Sequence, residues 1–98
     1  MSRNLEKWEI NYLCDIIQEA KKQDLPIVSI AVSPGEIGVW FHKVDKEYAG
    51  LLITGMEKIV ALWDFEEDDA PYHWVVSDHP IQTLPVTIGR MKSKIKTS

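Results

Sequence analysis

Along the first quarter of the chain, Leu5, Trp8, Tyr12, Leu13, Ile16, Ile17 and Ala20 recur at the spacing of one broad helical face. Glu6, Lys7, Asn11, Asp15, Gln18 and Lys22 fall largely outside it. This pattern predicts an amphipathic helix over residues 3–23. Asp24 and Pro26 end it, and Ser2 or Asn4 is the expected N-cap, with no clean capping box.

The period then changes to two. In PIVSIAVSPGEIGVWFHKV, Val28, Ile30 and Val32 alternate with Ser29, Ala31 and Ser33, and the alternation resumes at Ile37, Val39 and Phe41. Between the runs, Ser33-Pro34-Gly35-Glu36 combines the fixed φ of proline with a glycine that tolerates positive φ, as a type II turn requires. A β-hairpin follows, with Trp40 and His42 expected on the face opposite Val39 and Phe41.

Residues 45–63, DKEYAGLLITGMEKIVALW, satisfy a helical period through Tyr48, Leu51, Leu52, Met56, Ile59, Val60 and Trp63. A helix there would have to absorb Gly50 and Gly55 at about 1 kcal/mol each relative to alanine. The preferred reading is two strands, 50–54 and 58–65, divided at Thr54-Gly55-Met56-Glu57. YHWVVSD then reads as a further strand, with Tyr72, Trp74 and Val76 on one face, which makes the acidic stretch between them the connection of a second hairpin. After Asp78-His79-Pro80, Leu84, Ile88, Met91 and Ile95 form a stripe that predicts a helix over roughly 84–95. Thr83 is its candidate N-cap and Pro85 falls in its first turn. The expected fold is a single α+β domain over 1–98: N-terminal amphipathic helix, antiparallel sheet of about four to five strands in two hairpins, C-terminal helix.

Composition narrows the function classes. At 98 residues the chain buries roughly two-thirds of its unfolded surface without needing a metal or disulfide staple. The single Cys14 excludes an internal disulfide and a thiolate zinc site, and points to a reducing, cytoplasmic setting. MSRNLEKWEI is not expected to be a signal peptide, and no apolar run approaches a membrane span. The formal net charge is −4. Arg90, Lys92, Lys94 and Lys96 crowd the last nine residues, however, so residues 1–89 hold 7 basic against 15 acidic groups and carry −8. Such a body repels nucleic-acid phosphates and attracts basic surfaces, which makes direct nucleic-acid binding an unfavoured reading.

The chemistry-bearing stretch is WDFEEDDAPYHW, residues 63–74. It lacks the central glycine and terminal glutamate of an EF-hand loop, and the chain has no HExxH, GxSxG or P-loop. No catalytic residue, metal site or cofactor is therefore assigned. The reading carried forward is a non-enzymatic acidic protein that occupies a basic surface of a partner protein, using Trp63, Asp64, Glu66, Glu67, Asp68, Asp69, Tyr72 and Trp74. Aromatics dominate binding hot spots and carboxylates steer association. Compact acidic domains of this general type include phage and mobile-element inhibitors, an analogy of type only. The alternative is a protein that binds or sequesters a small anionic or nucleotide ligand through Trp40, His42, Arg90 and Lys92, combining stacking rings with cations. A second alternative is a metal-dependent or acid/base hydrolase built on Asp64 and a histidine. Trp40, on the outer parity of its hairpin, makes a homodimer a further expectation.

Overall fold

In a computed structural model, residues 4–56, 58–65, 72–76 and 80–97 are described, with the backbone alone for 72–76, 80–81 and 96–97. Helix α1 (Lys7–Lys22) is followed by strands β1 (Ser29–Ser33), β2 (Glu36–Val44), β3 (Glu47–Gly55), β4 (Lys58–Asp64) and β5 (Tyr72–Val76), and by helix α2 (Pro80–Thr97). The five strands form one antiparallel meander in the order β1-β2-β3-β4-β5. The two expected hairpins are thus parts of a continuous sheet, joined by β2 to β3 and β3 to β4 pairings.

Both helices lie on one face of this sheet. Leu13, Ile16 and Ala20 of α1 and Leu84, Ile88 and Met91 of α2 share a single buried cluster with Ile37, Val39, Leu51, Ile53 and Ile59. The apolar stripes of both helices are therefore spent on the same core, as an amphipathic helix beside a half-buried sheet requires.

The ends of α1 differ from expectation in an instructive way. The helix begins at Lys7, and its N-cap is Glu6, whose backbone N–H donates to Glu9 Oε1 at 2.8 Å. A glutamate pair does the work of the Ser/Thr-x-x-Glu box, so a search for a hydroxyl or amide cap at Ser2, which lies outside the described residues, or at Asn4 misses it. At the other end, Leu25 N donates to Ala20 O at 2.8 Å and Asp24 N to Lys21 O at 3.1 Å, with Asp24 at φ 60. These are the bonds of a Schellman stop, with aspartate in the left-handed position usually taken by glycine.

The strand reading of 45–63 holds, and its bounds shift. β3 starts at Glu47 because Asp45, at φ 55, turns the chain sharply after Val44. The Pro34-Gly35 turn is as expected, with Gly35 at φ 83 and Ser33 opposite Glu36. A β-bulge between Trp40 and His42 was not foreseen. It sets His42 opposite Ala49, a core-facing residue, so His42 leaves the face it was expected to share with Trp40. One extra residue in β2 reverses the alternation from that point on. Lys43, not His42, continues on Trp40's face.

Helix α2 begins at Pro80, four residues ahead of the predicted start, because a proline suits the first helical position where its missing N–H costs nothing. Thr83 is consequently inside the helix: its carbonyl accepts the Thr87 hydroxyl at 3.1 Å, so it is not an N-cap. Pro85 lies beyond the first turn, and its carbonyl accepts Gln23 Nε2 at 2.8 Å, tying α2 to the end of α1. No helix among the described residues is long and apolar enough to cross a membrane.

Candidate functional site

The sheet face turned away from the helices is built around one indole. Trp40 on β2 lies across Gly38 and Gly50, so closely that a Cβ added at Gly50 would meet the Trp40 ring at 2.5 Å and Val39 O at 2.6 Å. At Gly38 the added atom would meet Trp40 Nε1 at 3.0 Å and Leu52 Cδ2 at 3.3 Å. The two glycines provide the flat floor on which the ring rests, and the ring covers backbone they would otherwise leave bare.

Around this ring the face is apolar and aromatic. Tyr48 meets Trp40 edge to face at 5.9 Å between ring centres, and Lys43 Nζ stands 5.8 Å from the indole centre. Such arrangements use the ring quadrupole and hold the indole in one orientation. Leu52, Val60 and Leu62 occupy the same face by register, and all are half-buried, on the side away from both helices of the described residues. Across three strands, Lys43, Tyr48 and Asp64 stand in one row. Asp64 is the last residue of β4, immediately before the acidic connection.

WDFEEDDAPYHW is distributed among different environments. Trp63, opposite Ala49, is half-buried and packs against the core, so it belongs to the helix side. Asp64, of opposite parity and paired with Tyr48, belongs to the helix-free side. Phe65 is buried, with His42 at 5.3 Å between ring centres and Lys94 Nζ 5.8 Å from its ring centre. Glu66, Glu67, Asp68 and Asp69 lie outside the described residues. Tyr72 stands at the register position of Trp63 and Trp74 at that of buried Ala61. β4 and β5, which flank the acidic stretch in sequence, pair antiparallel as the second expected hairpin requires.

The four residues suggested for an anionic ligand are not brought to one place. Trp40 is on the helix-free face, whereas Arg90 and Lys92 are on α2 across the sheet. The Lys92 ammonium donates to the carbonyl of Gln23, the C-cap of α1, so that cation closes a helix end. His42 Nε2 lies 3.2 Å from Glu47 Oε1, a contact that ties β2 to β3 across their turn, with both side chains under a quarter exposed. Among the described residues no three His, Cys, Asp or Glu side chains gather as metal ligands would.

Sequence reasoning missed Tyr48, Lys43, Leu52, Val60 and Leu62 as members of a common surface. The signal was present in the period-two alternation, but it needed the cross-strand register and the bulge to become a surface. The chain matches no family model, curated protein or solved structure, so its own geometry carries the functional reading.

Proposed function

We propose that this is a non-enzymatic binding domain that covers a basic surface of a partner protein with the helix-free face of its sheet. The observation that carries the reading is the Trp40 cluster: an indole seated on two glycines, with Tyr48 against it and half-buried Leu52, Val60 and Leu62 around it, and no helix over it among the described residues. A rigid aromatic anchor within an apolar patch is the anatomy of a binding hot spot.

Charge says which kind of partner fits. The face ends at Asp64, and the chain continues from there into Glu66, Glu67, Asp68 and Asp69, within a body of charge −8 over residues 1–89. A basic partner is drawn in by that potential and then held by the aromatic patch, which assigns on-rate to the carboxylates and residence time to Trp40. An inhibitor that covers a nucleic-acid-binding surface would use the same chemistry.

The test is co-purification from the native host with the wild type, with Tyr48→Ser, and with Glu66, Glu67, Asp68 and Asp69 all changed to Lys, followed by binding kinetics on the captured protein at low and high salt. The expected result is a basic partner whose dissociation speeds at least tenfold with Tyr48→Ser, and whose association slows with charge reversal at low salt only. A partner indifferent to both variants, each shown folded by its melting curve, refutes the reading.

A further inference from the structure

The sheet has an edge strand with neither a charged side chain nor a proline within it. β1 pairs with β2 alone, and residues 25–35, LPIVSIAVSPG, contain no charged side chain. Edge strands normally carry charges, prolines or bulges that discourage pairing. Here Pro26 and Pro34 flank the strand and its interior has neither charge nor proline. Ile30 stands opposite fully buried Val39, on the core side of the sheet, and yet is 44% exposed, and Val28 is 57% exposed.

The helix above this edge is open on the same side. Glu19 and Gln23 occupy the flank of α1 that reaches α2, through the Gln23 bond to Pro85 O. By the helical period the opposite flank carries Ile10, Cys14, Ile17 and Lys21, all exposed, with Ile10 at 45% and Ile17 at 41%. Ile17 also lines a groove with Ala20, Lys21, Asp24, Leu25, Pro26 and Ile27, which joins the helix flank to the start of β1 and carries one charge of each sign.

We infer that β1 is a homodimerisation edge: two copies pair β1 antiparallel about a two-fold axis at Ala31, merging two five-stranded sheets into one of ten strands. The sequence SIAVS suits this symmetry, because Ser29 then faces Ser33 and Ile30 faces Val32, small polar against small polar and β-branched against β-branched. Two molecules of net charge −4 repel over most of their surface, and the uncharged eleven-residue stretch is where they approach without that cost. The Ile10 and Ile17 flanks of the two α1 helices meet above the joined strands. Four exposed large apolar side chains, Ile10, Ile17, Val28 and Ile30, and a short strand make a patch of about a few hundred Å², below the roughly 800 Å² per partner of a standard interface. The dimer is therefore concentration-dependent. The pairing does not depend on the proposed binding face, which remains open in both copies.

Sedimentation velocity over a dilution series of the full chain tests the inference, joined by a cross-linking arm. The wild type should shift from monomer to dimer with concentration, Ile30→Lys should remain monomeric, and Tyr48→Ser should behave as the wild type. In a Cys14→Ser background, Ala31→Cys should form a disulfide-linked dimer under mild oxidation, because facing α-carbons in an antiparallel pair lie about 4.5–5.5 Å apart, within disulfide reach. Val86→Cys, at an exposed position on α2, should not. Monomer at every concentration, or a dimer that survives Ile30→Lys while Ala31→Cys fails to cross-link, overturns the inference. Should Ile30→Lys lose its melting transition, the cross-linking comparison decides alone.

Discussion

Substituting alanine for Gly50 is the most direct physical test of the Trp40 face. Gly50 is in an extended strand, and positive φ is not its constraint; the constraint is space, since the new Cβ would fall 2.5 Å from the Trp40 ring and 2.6 Å from Val39 O. Ordinary contact begins near 3.4 Å, so the ring has to withdraw by roughly 0.9 Å, and the Val39 carbonyl, fixed in β2, cannot withdraw without disturbing the β2–β3 ladder. Overpacking of this kind costs about 1–3 kcal/mol. Lower entropy of the unfolded chain returns about 0.4–1 kcal/mol for a glycine-to-alanine change. The net expectation is a loss of about 1–2 kcal/mol, which in a domain of this size lowers Tm by roughly 4–16 °C.

The assay is urea unfolding of the wild type, Gly50→Ala, Trp40→Ala and the double variant, followed by far-UV circular dichroism. Removing the indole relieves the ring clash and leaves the carbonyl clash, so the double variant should lose less than the sum of the two single changes, by at least about 0.5 kcal/mol. A neutral Gly50→Ala, or strict additivity in the cycle, would refute the placement of Trp40 on Gly50 and, with it, the argument that the aromatic anchor is held rigid.

Asp24 and Glu9 give two further tests, both at the ends of α1. Asp24→Gly should stabilise the protein by about 0.5–1 kcal/mol, because Asp24 holds φ 60 at the helix stop and glycine adopts that conformation without strain; a lower Tm by calorimetry would contradict it. Glu9→Ala should cost about 1 kcal/mol in urea unfolding, since it leaves the Glu6 N–H without its acceptor, and Glu9→Gln should recover much of the loss by keeping an acceptor oxygen. Equal losses for the two Glu9 variants would show that burial or charge, rather than the cap, accounts for the effect.

The elements legible from sequence were those whose signal is local. Leu13, Ile16 and Ala20 repeat at a helical period and are buried as that period requires, and Leu84, Ile88 and Met91 do the same in α2. Pro34-Gly35 makes its turn without help from the rest of the chain. What could not be read depends on two segments at once. The bulge that moves His42 to the core side arises from how β2 fits β3, and nothing within WFHKV announces it. Gly50 argues against a helix by propensity, but its role as a floor appears only once Trp40, on a neighbouring strand, is placed above it. Lys92, suggested as an anion ligand by its position in a basic tail, is drawn to a carbonyl 69 residues away at the end of α1. In the acidic stretch, strict alternation separates Trp63 from Asp64, so residues adjacent in sequence face different layers, and Phe65 joins the core.

The two proposed surfaces constrain one another. Trp40 is on β2, the strand next to β1, and opposite Ser29, so a dimer joined at β1 separates the two indoles by three strand spacings, about 14 Å, across the sheet and by four residues, roughly 13 Å, along it, about 20 Å in all. The joined face would then present two aromatic anchors near its centre, with Asp64, at the end of β4, toward its outer parts. A partner that spans both anchors gains from the second as an intramolecular event, and loses that gain when the edge is blocked. Ile30→Lys, on the opposite face of the sheet from Trp40, should therefore weaken binding to an extended or repetitive basic partner and leave binding to a compact one unchanged. The same variant thus reports the partner's size, whereas Tyr48→Ser reports only that the face is used.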